Sequence, residues 1–153
     1  MSFPNYNKVS HVLATCFGVG SIQFAPGTWG SLFALLLICN ITFLQEWIIL
    51  ATALIVAFSW WVCFEVYKLT KSDSSEIVID EFAGMFVACM FINHDFISLA
   101  FAFLFFRFFD IVKPWPISWV DKNIKNGPGI LIDDLLAGLF TSILMLAISK
   151  III

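Results

Sequence analysis

The sequence predicts an all-α fold: a polytopic helical bundle embedded in a membrane, with about five membrane helices, an N-terminal half-helix and a Gly-rich loop. Three observations point there. Of the 153 residues, 61% are hydrophobic and only 12% charged, against roughly 45–50% and about 25% in soluble domains. Eighteen Phe and six Trp beside a single Arg cannot be covered by so little polar surface, which excludes a water-soluble globule and a disordered chain. The apolar residues also gather in long runs separated by short polar steps, and the bases collect on alternate steps. The length suits one domain, residues 1–153.

Taken in order, Val9 to Phe17 is apolar but too short to span and is followed by Gly18 and Gly20; it predicts a half-helix lying in or on the membrane face. Leu13-Ala14-Thr15-Cys16 has the look of a lipoprotein box. Only Val9 to Thr15 precede the cysteine after Lys8, however, and His11 interrupts them, so no processing is expected. A spanning helix needs about 20 mostly apolar residues. Five segments qualify or nearly do: Ser31–Gln45, Trp47–Leu69, Phe82–Asn93, Phe96–Val112 and Asp133–Lys150. The third is short, and either crosses at a thin point or re-enters, forming a hairpin with the fourth. Residues 113–132 read as a loop, because Pro114 and Pro116 stop the preceding helix. Cys16, Cys39, Cys63 and Cys89 are widely and irregularly spaced in apolar context, which predicts reduced packing residues rather than disulfides or a zinc site.

Orientation follows from the bases. One side receives Lys8, Lys68, Lys71, Lys113, Lys122 and Lys125, with Arg107 one turn inside it; the other receives Lys150 alone. The positive-inside rule puts the N-terminus and the loops at 70–80 and 113–132 in the cytoplasm. The net charge of −3, with no basic patch, gives no footing for nucleic acid.

Four polar clusters then fall on one face. In the first, Gly18-Val19-Gly20 and Ala25-Pro26-Gly27-Thr28-Trp29-Gly30-Ser31 precede a helix. Glycine-rich backbone N–H groups at a helix start, with the hydroxyls of Thr28 and Ser31, suit a phosphate; a turn with a Ser or Thr cap explains the same residues. The Gly-Lys-Ser/Thr ending of a nucleotide P-loop is missing. The second and fourth clusters, Asp80-Glu81 before Ala83-Gly84 and Asp133-Asp134 before Ala137-Gly138, each put adjacent carboxylates at a helix start. One acid of each pair is explained by capping and the helix dipole. Two side by side, twice, at a low-dielectric boundary call for a cation such as Mg²⁺. In the third, Arg107, Asp110 and Lys113 follow one another at helical spacing. Asp110 is either the ion-pair partner of Arg107 or a metal ligand or nucleophile flanked by two phosphate clamps. His11 could approach the Gly-rich loop, but a packed, hydrogen-bonded histidine is the favoured reading.

A phosphate cradle, carboxylates and fixed cations at head-group depth describe metal-dependent phosphoryl chemistry on a lipid. Cysteine-phosphatase, phosphohistidine, haloacid-dehalogenase and CDP-alcohol phosphotransferase arrangements each lack a needed residue or spacing. The sequence resembles the phosphatidylglycerophosphatase A family. The matching segments are His11 to Thr15, Gly18-x-Gly20, Ala25 to Ser31, and Ile77-Val-Ile-Asp-Glu-Phe-Ala-Gly-Met85. They continue through Arg107-x-x-Asp110-x-x-Lys113-Pro-x-Pro-Ile117 and Asp121 to Gly129-Ile-x-Ile-Asp-Asp-x-x-Ala-Gly138. Gln23 departs from members that carry Pro there. The resemblance implies a Mg²⁺-dependent, multi-pass phosphatase of the bacterial inner membrane, facing the cytoplasm, that converts phosphatidylglycerophosphate to phosphatidylglycerol. It marks Asp80, Glu81, Asp110, Asp133 and Asp134 as the family's acidic positions and Arg107 and Lys113 as its basic ones; the expectation is that Asp80, Glu81, Asp133 and Asp134 hold the metal and that Asp110, Asp80, Asp134, Arg107 and Lys113 carry catalysis. Gly27, Thr28, Gly30, Ser31 and His11 would bind substrate. The rival expectation is a small cation-coupled transporter or channel, with the same carboxylates spread along a pathway through the membrane. The sequence does not fix an oligomeric state.

Overall fold

The structure, a computed structural model, describes residues 3–40, 43–70, 74–124 and 127–152. Among these residues the regular elements are all helical, and the predicted all-α class holds. The half-helix forms as α1 (Val9–Ala14). Cys16, Phe17 and Gly18 then adopt left-handed backbone (φ 46°, 60° and 95°) and turn the chain into a 3₁₀ turn, Val19–Ser21. α1 is a brace. Thr15 Oγ1 donates to the His11 carbonyl at 3.0 Å and accepts the Gly18 N–H at 3.1 Å. The Ala14 carbonyl in turn accepts the Val78 N–H at 2.9 Å, tying α1 to the segment that leads into α4.

α2 (Pro26–Asn40) begins earlier than the expected Ser31. Pro26 sits at the first helical position, where its fixed φ is already helical, and the Ala25 carbonyl accepts the Thr28 and Trp29 N–H groups. The expected phosphate-cradling loop is therefore largely the opening turns of a helix, with those donors already used. α3 (Phe43–Thr70) and α7 (Gly127–Ile152) are the long helices; their stretches Glu46–Thr70 and Gly129–Lys150 are long and apolar enough to cross a membrane. α5 (Phe96–Val112) is capped by Asp95, whose Oδ1 accepts the Ser98 N–H at 3.0 Å. The stretch expected as a loop contains α6 (Ile117–Asn123), fixed by burial of Ile117 and Val120 one turn apart.

α4 (Ile79–Cys89) is the central post. Nine of its eleven residues are buried, and it packs against α2, α3, α5 and α7. At 1.5 Å per residue it is about 16 Å long, half the roughly 30 Å of a hydrocarbon core, and it ends before the expected Asn93. Close packing with α7 depends on facing glycines. A Cβ on Gly138 would strike the Gly84 carbonyl, and one on Gly84 would stand 2.8 Å from the Asp134 carbonyl oxygen. Met85, Phe86, Leu99, Phe106, Ile117 and Ala137 form one buried cluster on this post; Val62, Val66, Val78, Ala83 and Leu131 form another.

Outward, α5 presents Ile97, Phe101, Leu104, Phe108 and Ile111, spaced three and four residues apart and all exposed. A water-facing stripe of this kind would be costly. Cys16, Cys63 and Cys89 are buried and in no disulfide, as expected of packing residues, whereas Cys39 is exposed.

Candidate active site

One end of the bundle holds a cavity of about 450 Å³, and all four polar clusters reach it. Gly27 comes from the start of α2 and Asp80 and Glu81 from the first turn of α4. Arg107, Asp110 and Lys113 come from the end of α5, Asp121 from α6, and Asp133 and Asp134 from α7. Because α2, α4 and α7 begin here and α5 ends here, α5 runs opposite in chain direction to the other three. Lys71 and Lys125, counted in the orientation argument, lie outside the described residues.

The carboxylates divide into two groups. Asp80, Glu81 and Asp134 each place an oxygen within 4.8 Å of the others' oxygens, and among the described residues none of the three forms a salt bridge. Three carboxylates this close repel strongly where water is scarce, and a hard cation among them would offset the repulsion. The remaining acids are already matched. Asp110 meets Arg107 at 2.6 Å, and Lys113 Nζ meets Asp121 at 2.7 Å and Asp133 Oδ2 at 2.5 Å. Asp133, expected beside Asp134 as a metal ligand, thus turns one oxygen to a lysine instead. The capping explanation for this acidic pair fails, since α7 starts at Gly127 and both residues lie well inside it.

The cations are fixed in place. Arg107 Nη1 donates to Ser31 Oγ at 3.3 Å, while Ser31 itself donates to the Gly27 carbonyl at 2.8 Å. A Cβ at Gly27 would displace the Glu81 carboxylate and lie 3.3 Å from Arg107 Nη1, so glycine there lets both groups take up the positions seen. Lys113 has left-handed backbone (φ 46°, ψ 60°) at the end of α5, a conformation costing a non-glycine residue about 1–2 kcal/mol. Burial acts to lower the Lys113 pKa, but hydrogen bonds to Asp121 and Asp133 and their charges hold it above 10.5. Three buried atoms on the wall have no partner among the described residues: Glu81 Oε2 and Asp133 Oδ1, which can only accept if ionised, and Arg107 Nε, which can only donate.

Some expected residues stand elsewhere. His11 does not line the cavity. It is fully buried, accepts the Asn5 N–H on Nδ1 at 2.9 Å and packs against the Phe3 ring; burial, and then the charge of Lys8, lower its pKa. Thr28 does not line the cavity either, and Gly30 faces Val78, where a Cβ would be 2.7 Å from the valine Cβ. Glycine at position 30 thus serves the packing of α2 against Val78. Conversely Ser74, Ser75 and Asp121 do line the cavity. Only Asp121 was marked in the sequence, by the resemblance; the serines sit in a short polar step with no periodicity to single them out. A second, wholly apolar cavity of about 420 Å³ lies against Ile79 and Phe82, next to the acidic pair on α4, and includes Phe33 and Leu37 from α2.

Fold and site together define a class: an all-helical protein with an apolar exterior and, at one end, a carboxylate-rich cavity furnished with the cationic side chains that hold phosphates. A model of the family described as Phosphatidylglycerophosphatase A matches residues 12–149. The chain belongs to the phosphatidylglycerophosphatase A family, and it is a phosphatase. Relatives named Phosphatidylglycerophosphatase A occur in Escherichia coli K12 (38% identical over 135 residues, 86% of this chain and 78% of the relative) and Haemophilus influenzae (41% over 144 residues, 90% and 87%). A Bacteroides thetaiotaomicron protein, 32% identical over 154 residues and 95% of both chains, carries a provisional name as a phosphatidylinositol-3-phosphatase. No solved structure matches the chain.

Proposed function

We propose that this cavity hydrolyses the phosphomonoester of phosphatidylglycerophosphate, with Mg²⁺, at the cytoplasmic face of a bacterial inner membrane. The products are phosphatidylglycerol and inorganic phosphate. The observation that carries this reading is the set of unmatched atoms on one wall: among the described residues Glu81 Oε2 and Asp133 Oδ1 lack a cation or donor, and Arg107 Nε lacks an acceptor. A divalent ion suits the first two and a phosphate oxygen the third. Asp80, Glu81 and Asp134 would hold Mg²⁺, with the free oxygen of Asp133 nearby. When bound, the ion supplies charge neutralisation and a more acidic water.

The chain's own groups do the rest. Arg107, steadied by Ser31, and Lys113 take phosphate oxygens and offset the charge that grows as the ester P–O bond lengthens. Asp110, fixed by Arg107, either accepts the proton of the attacking water or itself receives the phosphoryl group and yields it to water. In both routes the glycerol oxygen leaves with a proton and the phosphate gains an oxygen from water. The apolar cavity beside Ile79 and Phe82 supports a lipid substrate, since it offers acyl chains a place next to the site. Lys113 lines the cavity and Lys122 follows Asp121 on α6, while Lys150 lies in the last turn of α7, which supports a cytoplasmic site and a multi-pass chain. A transporter would need carboxylates along a path through the bundle. Here Asp80, Glu81, Asp110, Asp121, Asp133 and Asp134 all gather at one end.

The test is phosphate release from phosphatidylglycerophosphate by purified protein, with Mg²⁺ or with EDTA, alongside Asp80→Asn and Asp134→Asn. Release is expected to need the metal and to fall about 10²-fold or more in each variant. Full activity in chelator, or in both variants, overturns the metal assignment. Phosphatidylinositol 3-phosphate assayed in parallel decides which head group the cavity prefers.

A further inference from the structure

The Lys113 ammonium has three N–H donors. Two are taken, by Asp121 Oδ1 at 2.7 Å and Asp133 Oδ2 at 2.5 Å. The two acids come from different helices, α6 and α7, and differ in setting: the Asp133 side chain is 9% exposed and that of Asp121 41%. All three residues line the cavity. Left with Asp133 alone, the flexible lysine would close onto a single buried carboxylate as a simple ion pair, with its donors drawn to the cavity wall.

Resting on the phosphatase reading, we propose that Asp121 is a positioning residue: its outward pull on Lys113 holds the ammonium between two carboxylates, so that its third N–H remains for the substrate phosphate. The surrounding fold gives Asp121 the stiffness the role needs. α6 is anchored by Ile117 and Val120, both buried, and by packing on α7. Pro114 and Pro116 restrict the backbone between Lys113 and this helix. Lys113 also takes a left-handed backbone conformation where α5 ends. The helix thus serves as a strut that carries an acid to the outer side of the lysine. Among the described residues Asp121 forms no hydrogen bond or ion pair with the carboxylate trio or Arg107, so its effect on turnover passes through Lys113.

A double-mutant cycle tests this on the full-length protein. Asp121→Ala is expected to lower kcat about 10-fold with a smaller change in KM, because a donor used in the transition state is misplaced rather than removed. Asp121→Asn, which keeps an acceptor at the same place, is expected to restore most of the rate. In a Lys113→Met background, Asp121→Ala should add no further loss. An equal additional loss in that background, or full activity of Asp121→Ala, overturns the proposal. A readout independent of turnover is the rate of reductive methylation at Lys113, followed by mass spectrometry. Asp121→Ala should change that rate several-fold with the thermal midpoint unaltered, and an unchanged rate also overturns it. If the wild type releases no phosphate from the lipid, the phosphatase reading fails by itself, and the methylation arm still decides whether Asp121 holds the lysine.

Discussion

Replacing Gly84 with alanine tests whether the spacing of α4 and α7 sets the acidic site. The added Cβ would lie 2.8 Å from the Asp134 carbonyl oxygen and 2.7 and 2.8 Å from two ring carbons of Phe106. Neither neighbour can yield easily, since one is backbone and Phe106 is fully buried in the core cluster. Restoring an ordinary contact of 3.4 Å requires α7 to retreat by about 0.6 Å. Overpacking of this kind costs about 1–3 kcal/mol, while alanine regains about 1 kcal/mol of helix propensity. The net loss is then on the order of 1 kcal/mol, or about 2–4 °C in thermal midpoint for a chain of this size. Activity should fall much further. The same retreat carries Asp134 away from Asp80 and Glu81, and a misplacement near 1 Å is worth about 10²-fold, so a loss of roughly 10-fold is expected, with more Mg²⁺ needed for half-maximal rate. The assay pairs phosphate release over a Mg²⁺ series with thermal unfolding in detergent. Leu99→Ala serves as the comparison: buried in the same cluster but near the opposite end of α5, it should cost about 2–5 kcal/mol and leave the folded enzyme's Mg²⁺ requirement unchanged. If Gly84→Ala keeps wild-type rate and Mg²⁺ dependence, the helix contact does not determine the carboxylate geometry, and the reasoning fails.

Two further outcomes follow from other parts of the fold. His11 is held neutral, its pKa below 6.5, so the unfolded chain binds its proton more readily; its contribution to stability is full above pH 6.5 and is lost as the pH falls toward the lower folded value. The thermal midpoint should therefore drop more between pH 7.5 and pH 5 in the wild type than in His11→Gln, and equal drops would remove burial of a neutral imidazole as the cause. For sidedness, Ser75 is exposed on the cavity rim and Asn93 is exposed at the far end. In a background lacking the exposed Cys39, a membrane-impermeant maleimide should reach Asn93→Cys in intact cells and Ser75→Cys only in inside-out vesicles. The reverse pattern places the cavity outside.

The convergence of the polar clusters was legible because it rests on features that survive without knowledge of packing. Apolar runs alternate the direction of the chain, and the bases mark one end. Boundaries were less legible. The expected start of α7 at Asp133 followed the onset of the apolar run, but Gly127-Pro128-Gly129, a turn signal in isolation, opens the helix instead, since proline is tolerated in a first turn. α6 escaped notice for a related reason: seven residues between proline stops carry too little periodicity, and burial of Ile117 and Val120 is a tertiary fact. The Gly-rich segment misled through composition. Glycine there permits close approach by Val78, Glu81 and Arg107 rather than a loop of free N–H groups.

The early start of α7 also changes what an acidic doublet means. At a helix end, two neighbouring carboxylates can splay toward a common ligand. Inside a helix, successive side chains leave the axis about 100° apart, so Asp133 and Asp134 must face different surroundings. Asp134 joins Asp80 and Glu81 in the oxygen trio, whereas Asp133 meets Lys113. Asp80 and Glu81 escape this separation because the longer glutamate can reach back to the cavity that its shorter neighbour also lines. One doublet thus contributes both members to the trio, and the other contributes one member and a counter-charge for the lysine. The consequence is a division of the cavity wall into a cation-seeking part and a cation-bearing part, meeting at α7. With a cation held by the first part, a phosphate ester bound between them would face positive charge on two sides, the condition under which the charge developing on a transferring phosphoryl group is stabilised without a single large binding group.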